Sequence, residues 1–279
     1  MAELIWQPDL FAIGQTQFND GEFEAWLQFN EHGDAFTGVD TPIANLWRDV
    51  NEDDSIQRMI EFGGRHCYRA WSKGRGRDEY IRNIIEMEHG SVLEHATINW
   101  AIQGVSRSLS LELARHRVGI ALSQESQRYV DASDIQFVVP PILAHIAGGS
   151  MAGDAHIRDF AANCDRALSA YVTLQGTIVD EINASSPNVK SLTMLKKRGN
   201  EAARALLPNA CETRFLWTTN MRILRHFLWL RGGSGADLEI RRMAVHMLQV
   251  AQDSAPAIFY DMTTKNVDDG YGVPIIVAS

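Results

Sequence analysis

The apolar positions of this chain fall into blocks of helical or alternating spacing, separated by glycine, proline and short polar stretches. Residues 1–52 keep no sustained period. Short aromatic pieces such as "FEAWLQF" lie between Gly, Asp and Pro, so this segment reads as an irregular N-terminal extension packed on a main body of residues 53–279. From Asp54 the period becomes helical. "IQRMIEF" runs to Gly63-Gly64, with "RHCYRAW" as its continuation. "RDEYIRNIIEMEHG" puts Ile81, Ile84, Ile85 and Glu88 on one stripe, with Gly90 as its stop. "HATINWAIQG" alternates as a half-buried strand does. "VSRSLSLELARHRVG" predicts a helix over 105–117, with Gly119 as its C′ residue.

Further along, "IQFVVPP" reads as a strand closed by prolines, and residues 150–183 as a long helical region interrupted by glycines. "SSPNVKSLTMLKKRG" and "NEAARALLP" read as two short helices, the second ended by Pro208. "TRFLWTTN" has strand character. "MRILRHFLWLRGG" and "ADLEIRRMAVHMLQVAQ" are two more helices, and "VDDGYGVPIIVAS" reads as loop. The class is α+β, helix-rich, with a few strands among the helices and no internal repeat, low-complexity tract or linker.

Two helical wheels carry anomalies. At 100° per residue, Val105, Leu109, Glu112 and His116 fall within roughly 60° of one another, so two ionisable groups share an apolar stripe. Such groups pair with each other at i, i+4 or face a cavity. Arg115 and Arg117 flank them, where the plainest role is to complement the negative end of the helix dipole. In the later helix Leu224, Phe227, Leu228 and Arg231 share a face ahead of Gly232-Gly233. Arg231 either snorkels over the helix end or projects its planar fork toward paired acceptors on a ligand.

Composition narrows the classes. The net charge of -9 over 279 residues argues against a nucleic-acid or anionic-membrane binder, while leaving room for a local basic pocket. Cys67, Cys164 and Cys211 form no CxxC pair, and His89 and His95 lack HExxH spacing, so no metal site is expected. The N-terminus has no basic start followed by an apolar core, and no apolar run approaches bilayer length; the reading is cytoplasmic. There is no GxGxxG after a strand, no P-loop and no GxSxG elbow.

The stretch "RHRVGIALSQESQRY" (115–129) resembles the signature of flavin-dependent thymidylate synthases. The blocks "EHGSVLEH", "EAARALLP" and "TRFLWTTNMRILRHFLWLR" follow the same family order across roughly residues 60–250. The resemblance implies an α+β fold with a small central antiparallel sheet, a homotetramer with active sites shared between chains, and FAD as cofactor. It further implies methylenetetrahydrofolate and NADPH as co-substrates and a uridine nucleotide methylated at C5. By resemblance Arg115, His116, Arg117, Ser91, Glu94, Ser123, Asn220, Arg222 and His226 contact FAD, with Cys67 at a small flavin-contacting position. Ser126 and Arg128 hold the nucleotide phosphate, with Arg204 supplied from elsewhere, and Glu112, Gln124, Glu125 and Gln127 line the nucleotide. Arg231 binds the pyrimidine as a catalytic cation, and His89 lies on the folate and flavin side. Ser126 then acts as a contact, with no covalent protein nucleophile.

The sequence departs from that pattern in four places. Eight residues, Val118 to Glu125, separate the Arg-His-Arg from Ser126 where seven are usual. Glu112 stands for a common glutamine, His226 for an asparagine and Gly235 for a histidine. These departures resemble a divergent branch that methylates UMP as well as dUMP in peptidyl-nucleoside antibiotic biosynthesis. The other functional class to weigh is a flavin- and nucleotide-binding module of this fold without methyl transfer.

Overall fold

The computed structural model describes residues 2–31, 54–68, 70, 75–148, 154–185, 191–267, 269 and 271–279. In chain order its strands and helices are β1 (Leu4–Ile5), β2 (Asp9–Gln15), α1 (Asp20–Glu31), α2 (Ser55–Tyr68), α3 (Arg77–Glu86), a 3-10 segment (Gly90–His95) and β3 (Thr97–Ser106). There follow α4 (Arg107–Leu113), β4 (Ile120–Gln124), β5 (Phe137–Val138), α5 (Pro141–Ile146), α6 (Ala155–Ser185), α7 (Leu192–Ala203) and a second 3-10 segment (Arg204–Leu206). The chain ends with β6 (Glu212–Asn220), α8 (Met221–Arg231), α9 (Leu238–Ser254), β7 (Met262–Lys265) and β8 (Ile275–Ala278).

An antiparallel four-stranded sheet in the order β2-β3-β6-β4 organises the chain, with two-stranded pairs β1-β5 and β7-β8 beside it. The alternation in "TINWAIQ" does its expected work: Ile98, Trp100 and Ile102 point inward, and Trp100 pairs with Trp217 across β3 and β6. Both indoles are fully buried, and α8 and α9 close over that face with Met221, Leu224, Phe227, Met243, Met247 and Leu248. The opposite face shows Phe11, Ile13 and Leu216 to solvent.

Several elements differ from the sequence reading. The first 31 residues are more regular than expected. β2 is an edge strand of the central sheet, and "DGEFEAWLQFNE" is one helix opened by acidic residues. The 52/53 boundary lies outside the described residues. The helix expected over 105–117 is shorter. β3 runs through Val105 to Ser106, whose side chain caps α4 by accepting from Leu109 N, and α4 ends at Leu113. Gly119 (φ 67°) therefore opens β4 and does not end a helix. Glu88 leaves the α3 stripe because it takes φ 56° itself, ending the helix before Gly90.

Within its described span α6 runs unbroken through Gly176, where a side chain would meet open space. The start of the predicted region, 150–153, lies outside the described residues, as does 186–190 in the next. The two short helices expected after it fuse as α7 and the 3-10 turn. Gly199 sits inside α7 because a Cβ there would meet Val179 Cγ2 at 2.9 Å on α6. The tail holds a strand where a loop was expected, since the β-branched run "IIVA" pairs with β7.

Candidate functional site

Register places the flavin-assigned residues. β3 begins at Thr97, opposite Asn220 at the end of β6, and Ile120 at the start of β4 pairs with Thr219. The segments before β3 (Ser91, Glu94), before β4 (Arg115–Arg117) and at and after the end of β6 (Asn220, Arg222) therefore converge on one end of the sheet. Arg222 Nη1 donates to Glu94 Oε1 at 2.5 Å, and a Cβ at Gly90 would come within 3.1 Å of Arg222 Nε. Asn220 caps α8 by accepting from Ile223 N at 2.9 Å, and its Nδ2 lies against Gly119. Ser91, Arg115 and Arg117 are exposed at that end. On its rim the His89 ring stacks on Tyr68 (6.2 Å, 27°), next to exposed Cys67 at the end of α2.

The two helical anomalies meet. Arg231 Nη1 donates to Glu112 Oε2 at 2.9 Å, and Arg231 Nε donates to His116 Nε2 at 3.0 Å. Glu112 and His116 therefore do not pair with each other; both bind the arginine that ends α8. The imidazole also packs edge-on against Phe227 at 5.2 Å, one turn before Arg231. Burial, then the charge of Asp237, push the Glu112 carboxyl above the ordinary range against the pull of Arg231. Burial, the Arg231 charge and His226 hold the His116 imidazole below its usual value. His226 is exposed, and Gly235 faces open space, where an added Cβ would meet no atom within 4 Å.

The phosphate-assigned set lies past the far end of β4. Ser126 Oγ accepts from Arg128 N at 3.4 Å. The Arg128 Nε and Nη2 donate to Glu201 Oε1 at 2.8 and 2.6 Å, and Arg198 holds the other oxygen of Glu201. Glu201 was not singled out in the sequence; its place three residues before Arg204 was the available signal. Arg204 follows α7, exposed, its side chain without a partner among the described residues. The Gln124 amide is engaged inside the chain, donating to Ser110 Oγ and Thr213 Oγ1. Ser123 is exposed and pairs in β4 with Leu216.

Glu125 and Gln127 line a separate cavity of about 390 Å³ with Glu3, Asp131, Asp134, Glu212 and Arg214. That lining is acidic, unlike the Arg128–Arg198 surface. Among the described residues no group of three or more His, Cys, Asp and Glu is arranged to hold a metal, and no helix is long and apolar enough to cross a membrane.

The comparisons with known proteins agree with one another. A family described as thymidylate synthase complementing protein matches residues 50–257. A flavin-dependent thymidylate synthase of a Mycobacterium species (strain JLS) is 42% identical over 217 residues, covering 76% of this chain and 82% of its own. Those of Mycolicibacterium vanbaalenii and Mycobacterium tuberculosis are 41% identical over 222 residues (78% of this chain, 84% of theirs) and 40% over 226 (79% and 85%).

Proposed function

The chain belongs to the thymidylate synthase complementing protein family, and on that premise we propose that it methylates C5 of a uridine 5'-monophosphate reductively, as an FAD enzyme. The observation that carries the reading is Arg231. Its guanidinium ends a helix whose inner face is buried, is held on Nε and Nη1, and keeps its Nη2 donors without a partner among the described residues. A uracil ring offers such a cation a carbonyl acceptor at O4, beside the N3–H. As C5 becomes nucleophilic, negative charge develops along that edge, and a cation fixed beforehand stabilises it without reorganising. No protein nucleophile is required, and Ser126 serves as a contact.

The residues assigned to FAD suit it. Arg115, Arg117 and Arg222 bring positive charge to one end of the sheet, as a pyrophosphate requires, and Ser91 adds a hydroxyl donor. When bound, FAD supplies the hydride chemistry; the chain supplies binding, orientation and charge. Methylenetetrahydrofolate is the proposed carbon donor and NADPH the proposed reductant, with His89 on their side of the site.

The nucleotide phosphate falls to Ser126 and Arg128, with Arg204. Within one chain His116 precedes β4 and Ser126 follows it, so five residues of strand, roughly 13 Å between end residues, lie between the two sets. That separation favours active sites shared between chains, as in a homotetramer. Glu112 Oε1 accepts from no described residue. A free carboxylate oxygen beside the pyrimidine arginine favours a sugar hydroxyl, and so UMP as well as dUMP, in keeping with the eight-residue spacer. The test is Arg231→Ala: nucleotide-dependent oxidation of the reduced flavin should fall by about a hundredfold or more. Oxidation at the parent rate would remove the assignment.

A further inference from the structure

Resting on the reading of Arg231 as the pyrimidine cation, we propose that His116 is its positioning residue. In this role the unprotonated Nε2 of His116 accepts the Arg231 Nε–H and keeps the free edge of the guanidinium turned toward the nucleotide. The resemblance gives His116 to the flavin; the geometry adds this second role.

Three observations carry it. The Nε-to-Nε2 distance of 3.0 Å is a hydrogen bond, and an arginine Nε–H can only donate, so Nε2 must be the acceptor. The ring proton therefore sits on Nδ1. Secondly, the ring is fixed by the same helix that carries Arg231, packing edge-on against fully buried Phe227. Thirdly, Glu112 occupies Nη1, so two separate groups fix the guanidinium and a rotation of Arg231 must break both contacts.

A proton on His116 would convert the acceptor into a donor and set a second cation against the guanidinium. The charged and titratable groups facing this cluster are Glu112 from α4, Arg231 and His226 from α8, and Asp237 at the cap of α9. Arg231 and His226 both oppose protonation of His116, in line with its depressed basicity. The pocket should therefore bind pyrimidine in the neutral-imidazole state and lose it as pH falls through the His116 titration, below the ordinary histidine value near 6.5.

The experiment is dUMP binding to FAD-loaded protein, followed by flavin absorbance from about pH 8 to about pH 5, in the parent, His116→Gln, Glu112→Gln and Arg231→Ala. Glutamine can present an oxygen near the Nε2 position and does not titrate. The phosphate of dUMP titrates near pH 6 in every protein, so the readout is the ratio of parent to H116Q dissociation constants. That ratio should climb by up to about tenfold for each pH unit below the imidazole titration. A ratio independent of pH overturns the inference, and so does a slope that vanishes in E112Q while persisting in H116Q. Should R231A bind dUMP as the parent does, the pyrimidine reading itself fails; a flat ratio with binding lost in R231A sinks the His116 role alone. Nitrogen-15 shifts of His116 in the native protein give a check that needs no variant: a proton on Nδ1 supports the role, and a proton on Nε2 overturns it.

Discussion

Arg231 shows what a single residue declares in sequence and what it withholds. A guanidinium on the stripe that also carries Leu224, Phe227 and Leu228 was legible as an anomaly, because that stripe builds the core. Its partners were not legible. Glu112 and His116 lie 119 and 115 positions away, and the wheel that singled them out assumed one continuous helix where the chain has a strand, a short helix and a turn. The cysteines give a prediction at the same scale. Burial pushes the Cys164 thiol up to about 11 and the Cys211 thiol up to about 12, whereas Cys67 is exposed. Thiolates are the reactive form, so a disulfide reagent should titrate one thiol rapidly in the native protein and all three after denaturation. Fast reaction of a second native thiol would contradict the burial described.

At the scale of elements, periodicity found most helices and strands and missed the junctions. The boundary between β3 and α4 rests on Ser106, whose hydroxyl accepts from Leu109 N and donates to Glu239 Oε2 at 2.6 Å. Its partner on α9 is remote in sequence, so no local window reveals it. Ser106→Ala removes a cap worth about 1 kcal/mol and a donor to a partly buried carboxyl worth about 1–3 kcal/mol. Burial already raises the Glu239 pKa, and the Ser106 hydroxyl lowers it, so the variant raises it further. A raised folded pKa favours the fold below the unfolded value and loses that contribution as pH rises through the folded one. The stability deficit of S106A should thus be larger at neutral pH than near pH 4. Urea unfolding at both values measures it, and an equal deficit would mean that the Glu239 contact contributes little.

Across the whole molecule, the sheet sorts the chemistry. The Arg-His-Arg segment enters β4 and the Ser126–Arg128 segment leaves it, so one strand holds the two halves of "RHRVGIALSQESQRY" apart. The motif is contiguous in sequence, yet its two halves lie at opposite ends of that strand. If sites are completed between chains, mixing Arg231→Ala with Arg128→Ala should restore part of the activity that each lacks alone; no recovery after verified subunit exchange would argue for sites made within one chain. The most direct test of the central claim is product analysis. Purified protein is incubated with FAD, methylenetetrahydrofolate and NADPH, and with dUMP or UMP in parallel, and the nucleotides are read by mass spectrometry. The account predicts a product heavier by one CH2 at C5 of the pyrimidine, dependent on the flavin and abolished in Arg231→Ala. Unchanged dUMP and UMP in a flavin-loaded protein that still binds both would contradict it.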